Sequence, residues 1–314
     1  MTTFSALQRW LLAFAIFALV IAPGAAASPS ARTAQGSILQ HYLIITTNLF
    51  ASHLDEYIDL KQSQGFFVTL VTLKEIPADT AGGIHAYIKD LNEVNPIDYL
   101  LLVGDVNFIP TWDSESITQT DVYYGDLSIR PDSIPEIYYG RVPVRNVFDL
   151  GNWIDKMLAY EQASGQEDWA KKASFIAAGE DYLAKDAEEG HNRVIENHTR
   201  TAGFSGDFPP AQAEGGDKLY AKKYEANRDQ VITALNSGRM LAVYNGLSRG
   251  WKDWKSPEFT QEDVRQLSSP PIPLVLGLTS HDGADFLIES MGDSWVTQAG
   301  AGALAFIGTS SDSD

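Results

Sequence analysis

"DYLLLVGD", residues Asp98–Asp105, is an unbroken apolar run that ends in glycine and aspartate. Runs of this kind are typical of strands that are buried on both faces of a parallel sheet. "HYLIIT" (His41–Thr46) and "IPLVLGLTS" (Ile272–Ser280) have the same character. Between such runs, apolar residues recur at helical spacing, as at Ile84, Ile88 and Leu91. The alternation predicts an α/β fold with a mainly parallel sheet covered by helices.

The alternation occurs in two series, which we predict to be an N-terminal subdomain (residues 38–163) and a C-terminal subdomain (164–314). Predicted strands of the first series are His41–Thr46, Phe66–Leu73, Asp98–Asp105 and Glu136–Val144, and its predicted helices are Leu54–Leu60, Ile84–Leu91 and Val147–Ala163. Predicted strands of the second are Ala173–Glu180, Arg239–Gly246, Ile272–Ser280 and Gly302–Ser310, and its predicted helices are Asp186–Thr201, Gln230–Leu235 and Phe286–Ala299.

The first residues have the layout of a secretory signal peptide. Met1–Arg9 carries one arginine and no acid, and the apolar run Trp10–Ile21, "WLLAFAIFALVI", follows it. Ala22–Ala27 is rich in small residues and precedes Ser28. The apolar run is well short of the roughly 20 residues that a membrane-spanning helix needs. We therefore expect a signal peptide over residues 1–27, a linker over 28–37, and a secreted protein with no membrane span after cleavage.

Composition excludes several classes of partner and site. The formal net charge is −18, from 41 acidic against 23 basic residues, which argues against nucleic acid and against anionic membrane surfaces as partners. The chain contains no cysteine. It therefore has no disulfide, no thiolate metal site and no thiol nucleophile.

Candidate chemistry is expected where the strands end, because ligands of open α/β sheets bind beyond the carboxyl ends of the strands. The sequence places Gly104-Asp105, Gly179-Glu180, Gly246-Leu247-Ser248 and Ser280-His281-Asp282 at these ends.

One of these strand ends contains G-L-S-R-G, which matches the G-x-S-x-G pattern of a serine nucleophile elbow at Ser248. An elbow requires a helix after the turn, and the sequel "WKDWKSPEF" is a poor helix start. The only histidine after Ser248 is His281. Ser280, His281 and Asp282 are adjacent, so on an extended segment neighbouring side chains point to opposite faces and do not converge as a triad. An active hydrolase that uses Ser280 or Ser248 with His281 stays an open alternative.

Several longer motifs carry a family resemblance. In the first half they are "DYLLLVGDVNFIP" (Asp98–Pro110), "TDVYYGDL" (Thr120–Leu127), "PEIYYGRVPVRN" (Pro135–Asn146) and "WIDKMLAYEQ" (Trp153–Gln162). With these motifs the chain resembles the gingipain-type cysteine peptidases from about His41 to Ser310. The resemblance implies a caspase-like, three-layer α/β/α sandwich with two subdomains.

In the second half, the resemblance assigns roles to single positions. The family's Tyr-x-Gly-His-Gly turn aligns with Tyr244–Ser248, so Leu247 stands at the catalytic histidine and Ser248 at the glycine whose N–H helps the oxyanion site. Ser280 stands at the cysteine nucleophile, and Phe286 comes one residue later than in the family. Glu180, which ends "IAAGE", matches the third catalytic acid, and Glu188 falls near the acid of the substrate pocket.

These replacements predict a peptidase homologue without the family's chemistry. Leu247 carries no proton, and a serine alcohol is a poor nucleophile without a nearby base. The G-L-S-R-G pattern is then a Gly-His-Gly turn whose histidine has become leucine. We expect a peptide or protein ligand and no required cofactor, and the other open alternative is a non-enzymatic surface interaction module. The chain also offers candidate ligands for a calcium ion, namely Asp105, Asp121 and Asp126, since hard cations bind carboxylates in loops. The resemblance favours this hypothesis.

Overall fold

The computed structural model describes residues 39–114, 117–128, 134–209, 213–249, 253–268, 272–279 and 289–309. Within these ranges the chain forms two larger sheets, both of parallel strands, with helices on both faces of each. The predicted fold class is therefore confirmed, and the parallel strands are divided between two sheets.

The first sheet, here called the N-terminal sheet, has four strands in the order β2-β1-β3-β6. Its strands are β1 (His41–Thr46), β2 (Phe67–Thr72), β3 (Tyr99–Val103) and β6 (Tyr138–Val142), and β4 (Trp112–Ser114) and β5 (Ile117–Thr120) form a separate antiparallel pair. Its helices are α1 (Asn48–Ala51), α2 (Asp55–Ser63), α3 (Ala81–Val94), α4 (Val122–Gly125) and α5 (Val147–Glu161).

The two-residue period of the central strand β3 explains how this sheet is covered. Leu100 and Leu102 point to the face on which Ile84 and Ile88 of α3 pack. Leu101 and Val103 point to the opposite face, where α2 and α5 pack. Both faces are therefore apolar, as the unbroken run of the sequence predicts.

The second sheet, here the C-terminal sheet, has five strands in the order β13-β12-β9-β7-β8. Its strands are β7 (Ala173–Ala177), β8 (Asp217–Tyr220), β9 (Leu241–Asn245), β12 (Ile272–Leu278) and β13 (Ala303–Ile307), and β10 (Asp253–Lys255) and β11 (Glu258–Thr260) form an antiparallel hairpin. Its helices are α6 (Ala184–Val194), α7 (Arg228–Asn236), α8 (Gln261–Gln266) and α9 (Met291–Thr297). One face packs against α7, α8 and α9, and the other packs against α6.

Helix α5 joins the two sheets. Its Trp153 side chain donates to Leu304 O at 3.4 Å, and the buried Lys156 ammonium donates to Val296 O, Ala301 O and Ala303 O. Burial lowers the pKa of Lys156 to about 7. The two halves of the chain therefore share a buried polar contact, and the subdomain boundary at residue 163 stays a prediction.

Some elements differ from the predictions. Strand β8 was not predicted, and the predicted helix Asp186–Thr201 begins at Ala184 and changes into a wider π-helical turn over Ile195–Thr199. The last predicted helix begins at Met291, after its Ser290 cap, and Phe286 lies outside the described residues.

In the parts of the chain that the structure describes, no helix has the length and apolar character to cross a membrane.

Candidate active site at the carboxyl ends of the C-terminal sheet

Three neighbouring strands of the C-terminal sheet have their carboxyl ends side by side. Ala177 of β7, Asn245 of β9 and Leu278 of β12 are in register. One residue further, Ala178 N donates to Asn245 O at 2.9 Å and Gly246 N donates to Leu278 O at 3.3 Å. The segments that begin at these three residues therefore leave the sheet side by side, as the resemblance requires.

The turn after β9 is compact because Gly246 carries no side chain. A Cβ atom at Gly246 would lie 2.4 Å from the Tyr244 hydroxyl oxygen and 3.0 Å from Ala178 Cβ. The Tyr244 hydroxyl donates to Leu247 O at 2.7 Å, and its ring stacks on the buried Trp254 ring with centroids 4.4 Å apart. The backbone of the predicted site residue Leu247 is thus bonded to Tyr244, whose ring packs in turn on Trp254.

The hairpin β10–β11 folds back onto this turn. Lys255 N donates to Leu247 O at 2.8 Å, and Arg249 N donates to Asp253 O at 2.8 Å. Ser248 forms an isolated antiparallel bridge with Trp254. Because strands rather than a helix follow Ser248 in the described residues, the helix that a nucleophile elbow requires is not built there.

Glu180 lies in the segment that follows β7, beside the same hairpin. Its side chain is 14% exposed, and its Oε1 atom is 3.5 Å from Lys255 Nζ. Its Oε2 atom is buried without a hydrogen-bond partner. The hairpin approaches the strand end closely, since a Cβ atom at Gly179 would lie 2.7 Å from Ser256 Oγ. Glu180 and Leu247 are therefore joined through one residue, Lys255.

The third strand end is described only as far as Thr279. Thr279 is 3% exposed, its Oγ1 atom is buried without a partner, and its carbonyl accepts a hydrogen bond from the Thr309 hydroxyl. Ser280 and His281 lie outside the described residues. Their predicted place beside Leu247 therefore stays a prediction.

Glu188 lies on α6, one strand away from the turn. It is half-buried, and its Oε1 atom accepts a hydrogen bond from Lys223 N at 3.1 Å, in the loop after β8. His191, one turn further along the helix, is buried against the rings of Phe175 and Tyr220. Neither of its ring nitrogens has a hydrogen-bond partner, and burial lowers the pKa of His191 to about 3. This histidine is neutral near pH 7.

The aspartates proposed for calcium have internal partners. Asp121 binds Arg141 with both of its oxygens at 2.7 Å, and Asp105 accepts from Arg145 Nε at 3.1 Å. Asp126 is buried and accepts from the Ser128 hydroxyl at 2.6 Å. Within the described ranges, no three His, Cys, Asp or Glu residues converge as metal ligands. Calcium binding stays a prediction.

The sequence model of the protein family described as "Peptidase family C25" matches residues 39–313 of this chain. This chain belongs to peptidase family C25. Gingipain R2 of Porphyromonas gingivalis is 26% identical over 255 residues, which are 78% of this chain and 32% of that protein. Lys-gingipain of the same organism is 25% identical over 86% of this chain and 15% of its own length.

A solved structure shows the same fold. The crystal structure of the Arg-specific cysteine proteinase gingipain R superposes with a TM-score of 0.76 and 22% identity, over 91% of this chain and 66% of that chain. The present chain spans about a third or less of the length of the two curated relatives named above. It is a C25 homologue that contains no cysteine.

Sequence reasoning missed Lys255, which contacts two of the predicted C25 site positions. Its neighbour Trp254 is completely buried. The one available signal was the two-residue period in Trp254-Lys255: in a strand with one buried face, the residue after a buried tryptophan points outward.

Proposed function

We propose that this C25 homologue binds peptide segments at the carboxyl ends of β7, β9 and β12 and does not cleave them by cysteine chemistry. The observation that carries the proposal is the survival of the strand framework together with the complete absence of cysteine. Leu247 at the turn further supports it, because leucine cannot accept or donate a proton. Loss of both the nucleophile and its base leaves little beyond binding.

The location of the site supports peptide binding as the surviving activity. Open α/β sheets bind ligands beyond the carboxyl ends of their strands. One curated relative is a Lys-gingipain, and the solved structure of the same fold is an Arg-specific cysteine proteinase, so these two residues are our first choice for peptide probes.

The test is an assay of the chain against fluorogenic Arg and Lys peptides, with peptide binding measured in parallel by fluorescence anisotropy. We expect binding without cleavage and no labelling of Ser280 or Ser248 by a fluorophosphonate. The double variant Ser280→Cys, Leu247→His is the matched comparison, and weak Arg-peptide cleavage by it indicates that the cleft has survived. Wild-type cleavage that disappears in a Ser280→Ala or a Ser248→Ala variant contradicts the proposal and favours the serine hydrolase.

We also propose that the chain is exported. The support is the order of Arg9, the apolar run Trp10–Ile21 and the small residues before Ser28. Mass spectrometry of the exported protein is expected to show Ser28 as the first residue. A soluble product that retains Met1 contradicts this proposal.

A further inference from the structure

The Glu180 carboxylate is only half paired. Its Oε1 atom lies 3.5 Å from the Lys255 ammonium, whereas charge-assisted N–H···O bonds are usually about 2.7–2.9 Å long. Its Oε2 atom is buried and has no partner. A buried acceptor without a donor is unfavourable, so this carboxylate can accept more hydrogen bonds than the chain supplies to it.

Lys255 has a fixed backbone and an exposed head. Its N–H is bonded to Leu247 O at 2.8 Å, and its neighbour Trp254 is completely buried between Tyr244 and Phe259. The Lys255 side chain is nevertheless 42% exposed. The ammonium can therefore rotate into water without moving the hairpin. Ion pairs this exposed contribute little stability, which makes such a rotation easy.

Two other cations that the structure describes near this strand end pair with acids of their own. Lys222 pairs with Asp181 at 2.7 Å, and Arg249 pairs with Glu258 at 3.4 Å. Among the residues that the structure describes, Lys255 is the one cation that pairs with Glu180. Within the described part of the chain, the pair is thus a local arrangement of two residues.

We propose that Glu180 is a subsite for a cationic group and that Lys255 is its internal occupant, which a ligand must displace. The inference rests on the proposed function only in placing this subsite within the peptide cleft. A planar cation with two N–H donors, such as an amidinium or a guanidinium, can engage both oxygens of one carboxylate. The Lys255 ammonium is a compact point charge that here approaches one of them. Once the Lys255 ammonium has moved away, such a ligand can satisfy the Oε2 atom that the chain leaves unpaired.

The test uses benzamidine as the cationic probe and benzamide as its neutral counterpart, with dissociation constants measured by NMR titration of the full chain. In Lys255→Gln we expect benzamidine to bind about two- to five-fold more tightly, which is the range that loss of a partly exposed ion pair allows. Benzamide binding should not change. Arg249→Gln is the matched control, because it removes the same net charge from the adjacent turn and should leave both probes unaffected.

A third variant shows whether the effect acts through the carboxylate. Adding Glu180→Gln to Lys255→Gln should abolish the gain for benzamidine. The proposal is overturned if benzamidine does not bind, if Lys255→Gln gives no gain, if Arg249→Gln gives an equal gain, or if the gain persists without the Glu180 carboxylate.

A chemical readout tests the pair without any ligand. A zero-length carbodiimide should join Glu180 to Lys255 in the folded chain, and the exposed pair Asp181–Lys222 serves as the positive control. Cross-linking of the control pair alone overturns the internal pairing. Absence of peptide binding, with the benzamidine gain intact, would instead contradict only the proposed function.

Discussion

The two ends of the C-terminal sheet treat buried polar groups in opposite ways. At the amino end, Arg239 and Asp217 are fully buried and joined by an Nε–Oδ2 contact of 2.8 Å. Arg239 also donates to the Ser174 hydroxyl at 2.9 Å and to Asp207 at 3.0 Å. Asp217 accepts from the backbone N–H groups of Asp207 and Phe208. Each oxygen of Asp217 has a partner from within the chain.

At the carboxyl end of the same strands, the polar groups are incompletely paired. Glu180 Oε2 and Thr279 Oγ1 are buried without partners. Leu247 brings an apolar side chain to the turn between them. The sheet therefore has one end that stabilises the fold and one end with unused hydrogen-bonding capacity, and the second end is where α/β sheets bind ligands.

The amino end should give the largest change in stability. Replacing Arg239 with methionine leaves the buried Asp217 charge uncompensated, and we expect a loss of about 3–5 kcal/mol in the free energy of unfolding. Urea denaturation measures this value. The control Arg249→Met breaks an exposed pair and should cost less than about 1 kcal/mol. Equal losses in the two variants would remove the distinction between buried and exposed pairs on which the comparison rests.

His191 should give an intermediate effect that depends on pH. Its folded-state pKa of about 3 lies below the unfolded value of about 6.5, so the unfolded chain binds the extra proton. The stability contributed by the neutral imidazole is complete above pH 6.5 and is lost progressively as the pH falls toward 3. Between pH 7 and pH 5 the wild type should lose about 2 kcal/mol more than a His191→Leu variant.

Denaturation at the two pH values measures that difference. The exposed His198 supplies the control, since His198→Gln should retain the wild-type slope. An unchanged slope in His191→Leu would show that another group accounts for the acid sensitivity.

The carboxyl end should give the smallest change in stability. Glu180→Gln removes a half-paired carboxylate, and we expect the free energy of unfolding to change by less than about 1 kcal/mol. The same kind of change at the amino end, Asp217→Asn, should cost several times more because it breaks a buried network. Similar urea midpoints for the two variants would mean that both ends serve stability alone.

The sequence predicted the sheet well where apolar runs are unbroken, as in β3 and β9. Strand β8, "DKLY", was not predicted. It begins with Asp217, which is buried, but a charged residue in the sequence indicates an exposed position. Only the fold brings Arg239 to this aspartate, and short-range periodicity contains no sign of the pairing. The contact of Lys255 with Glu180 was likewise not predictable from local patterns, because it joins residues that are far apart in the chain.

The alkylation rate of Ser280→Cys variants tests the central proposal, that positions 280 and 247 meet at the carboxyl end of the sheet. Iodoacetamide reacts with the thiolate, and a nearby imidazolium lowers the pKa of a thiol. At pH 6 we predict that the Ser280→Cys, Leu247→His variant reacts at least about ten-fold faster than Ser280→Cys alone. Equal rates, in variants with equal urea midpoints, would contradict the account, because positions 247 and 280 would then not share one site.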